Sequence, residues 1–103
     1  LTSLVHNTTK LFPKDELFGL TSQIKRAADS ITLNIAEGST GQSNKEFVKF
    51  LRYSLRFNIE VVSCIFIAKE RDIISKENFD KIYSMSEEIL AMISALIKRL
   101  ENE

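Results

Sequence analysis

The sequence predicts an all-α protein, an up-and-down antiparallel four-helix bundle forming a single domain over residues 1–103. Apolar residues recur at spacings of three and four along most of the chain, which is the period of an amphipathic helix. Only one Pro and three Gly occur, too few for the many tight turns of an all-β fold. A length of 103 residues, with 44% hydrophobic and 27% charged residues, is typical of one globular domain.

The first two helices are predicted on either side of Pro13. Residues 1–11 carry an apolar row on one face, and this helix should end before Pro13, because the residue preceding a proline avoids the α region. The second helix is predicted over residues 20–37, preceded by a helical turn over Lys14–Phe18. Gly38 then suits the position just after a helix, since glycine enters the left-handed region cheaply.

The third helix is predicted to begin at a capping box, Ser43-Asn44-Lys45-Glu46, and to run to about Arg71. The fourth should run from Ser75 or Lys76 to about Leu100. Its core row has strict three-four spacing and consists of Phe79, Ile82, Ser86, Ile89, Ile93, Leu96 and Leu100. Short connections make sequential helices antiparallel neighbours.

The third helix has more apolar surface than one bundle can cover. Its apolar side chains, from Phe47 to Ile67, surround most of its circumference. A helix of this kind requires cover on more than one side. The surplus predicts a subunit interface; the alternative is that this helix is simply central in the bundle.

Three further sequence features bear on where the protein is located and on where its first helix begins. No stretch approaches about 18 uninterrupted apolar residues, so no membrane span is predicted. The lone Cys64 excludes an intramolecular disulfide and fits a reducing, cytoplasmic compartment. Because Leu1 already falls within an apolar pattern, we expect the first helix to be truncated at its N-terminus.

No set of residues has the spacing of an active site. His6 is the only histidine and is interpreted as a surface residue, while Cys64 lies in an apolar run and is interpreted as a buried, inert thiol. No His, Cys or carboxylate set has metal-ligand spacing, and Gly38–Gly41 lacks the Lys of a phosphate-binding loop. We therefore expect no enzyme activity, cofactor, metal or small-molecule substrate.

A polar stripe lies along the second helix, at the edge of its apolar face. It consists of Gln23, Arg26, Ser30, Asn34 and Glu37. In an antiparallel pair of helices, one residue number rises as the other falls, so the two residue numbers of each facing pair add up to nearly the same value. These sums predict a ladder to the third helix, with Arg26 paired to Glu60, Ser30 near Arg56, and Glu37 paired to Lys49 or Lys45. The ladder would fix helix register; a subunit contact or a ligand contact are the alternatives.

Basic residues are concentrated on the third helix although the net charge is zero. Residues 1–56 carry eight Lys/Arg against five Asp/Glu, and residues 57–103 carry six against nine. A row at i, i+4, i+7 and i+11 is formed by Lys45, Lys49, Arg52 and Arg56. Such a row can follow a phosphate backbone, and Lys25 is a further candidate for a phosphate contact. The alternative is a solvated face partly neutralised by Glu37 and Glu60.

Two segments carry a resemblance to a known family: LFPKDELFGLTSQIKRAADSITLNIAEG at 11–38 and SNKEFVKFL at 43–51. They resemble the bacterial four-helix bundle proteins encoded within intervening sequences of 23S ribosomal RNA genes. The sequence departs from the pattern of that family in two places, one single residue and one three-residue segment. Thr32 replaces a proline that kinks the second helix, and Arg56-Phe57-Asn58 replaces a segment of small residues.

The resemblance implies an up-and-down bundle that assembles into a homopentameric ring. It also implies similarity to the accessory variability protein of diversity-generating retroelements, which binds nucleic acid and partners a reverse transcriptase. We therefore expect a non-enzymatic oligomer that binds RNA, another nucleic acid or a nucleic-acid enzyme. The alternative is a structural oligomer that docks a partner protein and has no nucleic-acid role.

Overall fold

A computed structural model describes residues 1–41 and 43–103, and within those ranges the chain is helical without a strand. The elements are α1 (Thr2–Thr9), a 3₁₀ turn (Lys14–Glu16), a π-helical turn (Leu17–Thr21), α2 (Ser22–Gly38), α3 (Asn44–Glu70) and α4 (Lys76–Glu101). This confirms the predicted all-α fold with four helices. The predicted 38–42 connection contains Gln42, which lies outside the described residues.

The junction between α1 and α2 differs from the prediction. α2 begins at Ser22 rather than at residue 20, because Gly19 adopts a non-helical conformation (φ −112°, ψ −108°). Both oxygens of Glu16 accept hydrogen bonds from Arg71 at the end of α3, at 2.8 and 2.9 Å. That ion pair fixes the turn against the bundle while Phe18 remains 94% exposed.

Side-chain caps begin the two long helices. Ser43 Oγ accepts from the Glu46 backbone N–H at 3.1 Å, and Ser75 Oγ accepts from the Asn78 N–H at 3.0 Å. The first bond is one half of the predicted capping box. The Glu46 carboxylate lies 3.7 Å from Lys49 Nζ. Each cap satisfies an amide that the helix itself cannot.

The core consists of two clusters of buried residues, both of which pack against partly buried Ile35 and Ile89, and α2 and α3 make the most extensive contact between helices. Ile24 of α2, Leu51 and Ile65 of α3, and Ile82 of α4 are at most 1% exposed. Leu51 belongs to a cluster near the C-terminal end of α4 that also contains Val48, Ile93 and Ile97. α4 therefore seals the side of α3 that α2 leaves open.

Buried polar groups also connect α3 to both neighbours. Ser54 Oγ donates to the Ile31 carbonyl of α2 at 2.9 Å, and Asn58 Nδ2 donates to the Ser86 carbonyl of α4 at 2.9 Å. Asn58 Oδ1 and Ser86 Oγ are buried without a partner. Because a buried polar atom without a partner is unfavourable, this point of the α3–α4 contact is weaker than the surrounding apolar packing.

The apolar surplus of α3 lies on its outer side in the second half of the helix. Ile59, Phe66 and Ile67 are 63%, 48% and 41% exposed. On α4, Tyr83 and Leu90 are 37% and 48% exposed. None of the described helices is long and apolar enough to span a lipid bilayer.

Candidate nucleic-acid interface

The basic row defined by Lys45, Lys49, Arg52 and Arg56 lies on the outer face of α3, and all four residues are exposed. At 100° per residue, the four positions fall within about 60° of one another. Buried Leu51, Ser54 and Asn58 occupy the opposite side of the helix. The row is thus a continuous line of cations directed away from the core.

Acidic neighbours already engage part of the basic row. Arg52 Nη2 donates to Glu101 Oε2 at the end of α4 at 2.9 Å. Lys49 Nζ lies 3.7 Å from Glu46 and 5.5 Å from the centre of the Phe50 ring. Both ion pairs are largely exposed, so each contributes about 0–1 kcal/mol and a phosphate can displace it.

Arg56 is held by an aromatic ring rather than by a carboxylate. Its guanidinium carbon lies 5.8 Å from the centre of the Tyr53 ring. Arg56 and Tyr53 line a groove of about 380 Å³ together with Asn34, Phe57 and Glu60. A guanidinium stacked in this way keeps its N–H donors free for a planar or phosphate ligand.

Lys25 does not join the basic row. It is half-buried and lines a groove with His6, Thr9 and Lys10, on the α1 side of the molecule. The reason is its position on α2: Lys25 lies about 100° around the helix from Arg26, which faces α3. Lys25 therefore lies on a different surface from the basic row, and its contribution to nucleic-acid binding stays a prediction.

The predicted pair between Arg26 and Glu60 is present. Arg26 Nη2 donates to Glu60 Oε1 at 2.8 Å. The buried bond from Ser54 to Ile31 has nearly the same number sum, which supports the predicted antiparallel register. The predicted pair of Glu37 with Lys49 or Lys45 is not formed, whereas the predicted proximity of Ser30 to Arg56 stays a prediction.

The Asn34 side chain bonds within α2 instead of across to α3. Asn34 Nδ2 donates to the Ser30 carbonyl at 2.8 Å, and no bond joins Ser30 to Arg56 within the described chain. Gln23 is exposed. A polar side chain that bonds to the preceding turn of its own helix has no need of a partner across the interface.

Glu37 forms no ion pair with Lys45 or Lys49, contrary to the prediction. Here Gly38 packs against Phe47 and Phe50, so these two rings define the side of α3 that faces α2. Lys49 and Lys45 lie about 130° and 170° around α3 from that side. The number sums gave the correct level along the helix but not the correct direction.

A comparison with protein families finds a match over most of the chain. The model of the 23S rRNA-intervening sequence protein family matches residues 1–95. The chain belongs to this family. A search of curated proteins finds no match.

The structure shows how this intervening-sequence protein accommodates its departures from the family pattern. Thr32 is exposed within α2, which runs without a break from Ser22 to Gly38. Phe57 packs against the main core cluster, and Asn58 is buried against α4. Sequence reasoning missed the Asn58–Ser86 bond; an Asn within the apolar run of α3 was the available signal.

His6 and Cys64, the lone histidine and the lone cysteine, lie in different surroundings. His6 Nε2 lies 3.3 Å from Asp29 Oδ1, and Cys64 is 3% exposed. Burial raises the pKa of the Cys64 thiol, and the nearby Glu60 charge raises it further. In residues 1–41 and 43–103, no group of His, Cys, Asp or Glu is arranged to hold a metal ion.

Proposed function

We propose that this intervening-sequence protein is a non-enzymatic, cytoplasmic interaction module that forms a homopentamer and binds RNA or another nucleic acid. The binding surface is the basic row of α3. In a ring the row repeats once per subunit, so several weak phosphate contacts act together through their high local concentration.

The observation that supports this proposal most strongly is the division of α3 into two exposed halves. The first half carries the basic row, and the second half carries exposed Ile59 and Phe66. Ile59 lines a groove of about 230 Å³ between α3 and α4 that also includes Tyr83 and Leu90. Exposed apolar patches of this kind mark association surfaces.

Association of the subunits is tested by placing charge in the apolar groove. We expect the Ile59→Glu/Leu90→Glu variant to dissociate to monomers at concentrations where the parent protein is a pentamer. Losing burial of two large apolar side chains costs about 3 kcal/mol or more per contact, or more than ~100-fold in affinity. Size-exclusion chromatography with light scattering measures the subunit count.

Met92→Glu is the matched control for that experiment. Met92 is 71% exposed on α4 and lies outside the groove, so its substitution should leave the pentamer intact. A parent protein that is monomeric at micromolar concentration would contradict the oligomer. An Ile59→Glu/Leu90→Glu variant that stays pentameric would exclude this groove as the interface.

Nucleic-acid binding is tested by reversing charge on the basic row. We expect Arg52→Glu/Arg56→Glu to abolish binding of single-stranded RNA, measured by fluorescence anisotropy from about 20 to 200 mM salt. The parent's logarithmic affinity should fall with slope about −0.7 per phosphate contacted. Lys76→Glu/Lys81→Glu is the control with the same change of charge, on α4. An RNA affinity that changes neither with salt concentration nor with the Arg52→Glu/Arg56→Glu substitutions would argue against this surface.

The alternative function is a structural or protein-binding oligomer with no nucleic-acid role. Its specific support is that Arg52 and Lys49 already lie beside carboxylates and that the chain has zero net charge. A stable oligomer that is not retained on RNA at low salt would favour this alternative.

A further inference from the structure

A second cationic surface lies between α1, the 3₁₀ and π-helical turns, and α2. It is a groove of about 250 Å³, and its lining includes Lys10, Lys14 and Lys25. His6 also lines it. Three lysines on one small concave surface concentrate positive charge in a chain whose net charge is zero.

These three lysines are not neutralised by neighbouring acids. Within the described chain, none of them has a carboxylate oxygen within 4.0 Å. Glu16 is held by Arg71 at 2.8 Å, and Asp29 lies 3.3 Å from His6. Glu16 is thus paired away from the groove, and Asp29 is paired to His6 in the groove lining rather than to a lysine.

Neutral residues of the groove complete an environment suited to a phosphate group on an organic body. Phe12 and Leu17 supply apolar wall, and Thr9 and Thr21 lie among the lysines. Thr21 is 5% exposed, and its buried hydroxyl oxygen has no hydrogen-bond partner among the described residues. Pockets for drug-sized ligands are about 300–1,000 Å³, so this smaller groove suits one phosphate with part of its sugar.

We propose that this groove, defined by Lys10, Lys14, Lys25 and Thr21, is a phosphate-binding site separate from the basic row. Lysine ammonium groups bind phosphate as point charges, which requires no fixed bidentate geometry. The phosphate belongs either to a free nucleotide or to the end of a nucleic acid. The site does not depend on the function proposed above, because it shares no residue with the row.

The site is tested by titrating the full chain with phosphate-containing probes, and binding is monitored by amide NMR spectra and by calorimetry. The probes are inorganic phosphate, a nucleoside 5′-monophosphate, and a short oligoribonucleotide with or without a 5′-phosphate. We expect saturable shifts of the Thr9, Thr21 and Lys25 amides. The Lys14→Gln/Lys25→Gln variant should bind at least about tenfold more weakly, since it loses two charge-assisted contacts.

Lys76→Gln/Lys81→Gln removes two lysines from α4 and should bind phosphate as the parent does. Circular dichroism confirms that both variants are folded. Tighter binding of the mononucleotide than of the oligomer identifies a nucleotide site, whereas a requirement for the 5′-phosphate identifies a strand end. No saturable shift at millimolar phosphate, or equal binding by the Lys14/Lys25 variant, would overturn the proposal. The Arg52→Glu/Arg56→Glu variant should bind phosphate at this site as the parent does. A failure of the phosphate-site proposal can therefore be distinguished from a failure of the proposed RNA binding by the basic row.

Discussion

Leu51→Ala is expected to destabilise the folded chain by about 2–5 kcal/mol, because it leaves a cavity in close-packed surroundings. Leu51 is fully buried in the cluster with Val48, Ile93 and Ile97. These residues join α3 to the C-terminal half of α4, so the cavity removes contacts from both helices. Urea unfolding followed by circular dichroism measures the loss, at one fixed protein concentration so that any association contributes equally to the parent and the variant.

Leu33→Ala is the matched control, since it deletes the same atoms from an exposed position. Leu33 is 65% exposed on α2. Its substitution should change the free energy of unfolding by no more than about 0.5 kcal/mol. Equal losses at Leu51 and Leu33 would contradict the packing described for the α3–α4 contact.

Gly38→Ala is expected to destabilise the protein by about 1–3 kcal/mol through overpacking. A Cβ atom at residue 38 would lie 2.7 Å from Phe50 Cβ and 3.0 Å from Phe47 Cδ1. Phe50 Cβ is fixed to its own backbone, so relief requires α2 and α3 to move apart. Thermal unfolding by circular dichroism measures the effect.

The sign of this result is informative, because helix propensity alone predicts the opposite. In a free helix, replacing Gly by Ala stabilises by about 0.8–1 kcal/mol. Ala36→Gly at an exposed position of the same turn is the control and should show only the propensity loss. A Gly38→Ala variant more stable than the parent would show that the α2–α3 contact is looser than described.

Sequence reasoning predicted the axial arrangement of the bundle better than the direction of its side chains. Number sums correctly placed Arg26 opposite Glu60. The same sums placed Glu37 level with Lys49, but the two residues face different directions because Phe47 and Phe50 occupy the contact with α2. The sum of two residue numbers predicts whether the residues lie at the same level along a helix pair. The rotation of each helix about its own axis depends on which bulky residues meet at the contact.

The candidate sites show the same limitation. The basic row was predictable because all four residues belong to one helix and one period. The second groove was not, because Lys10 follows the end of α1, Lys14 lies in the 3₁₀ turn and Lys25 lies in α2. The non-helical Gly19 bends the chain between them, and the sequence around it gives no period from which that bend could be read.

The lone thiol of α3 gives this protein a native probe of its own opening. Because Cys64 is enclosed by the bundle and its raised pKa keeps it protonated, a maleimide can react only after the helices separate. The alkylation rate therefore reports the population of open molecules. The native thiol is the label, so no engineered label is needed. If the chain associates as proposed, that rate should fall as the protein concentration rises.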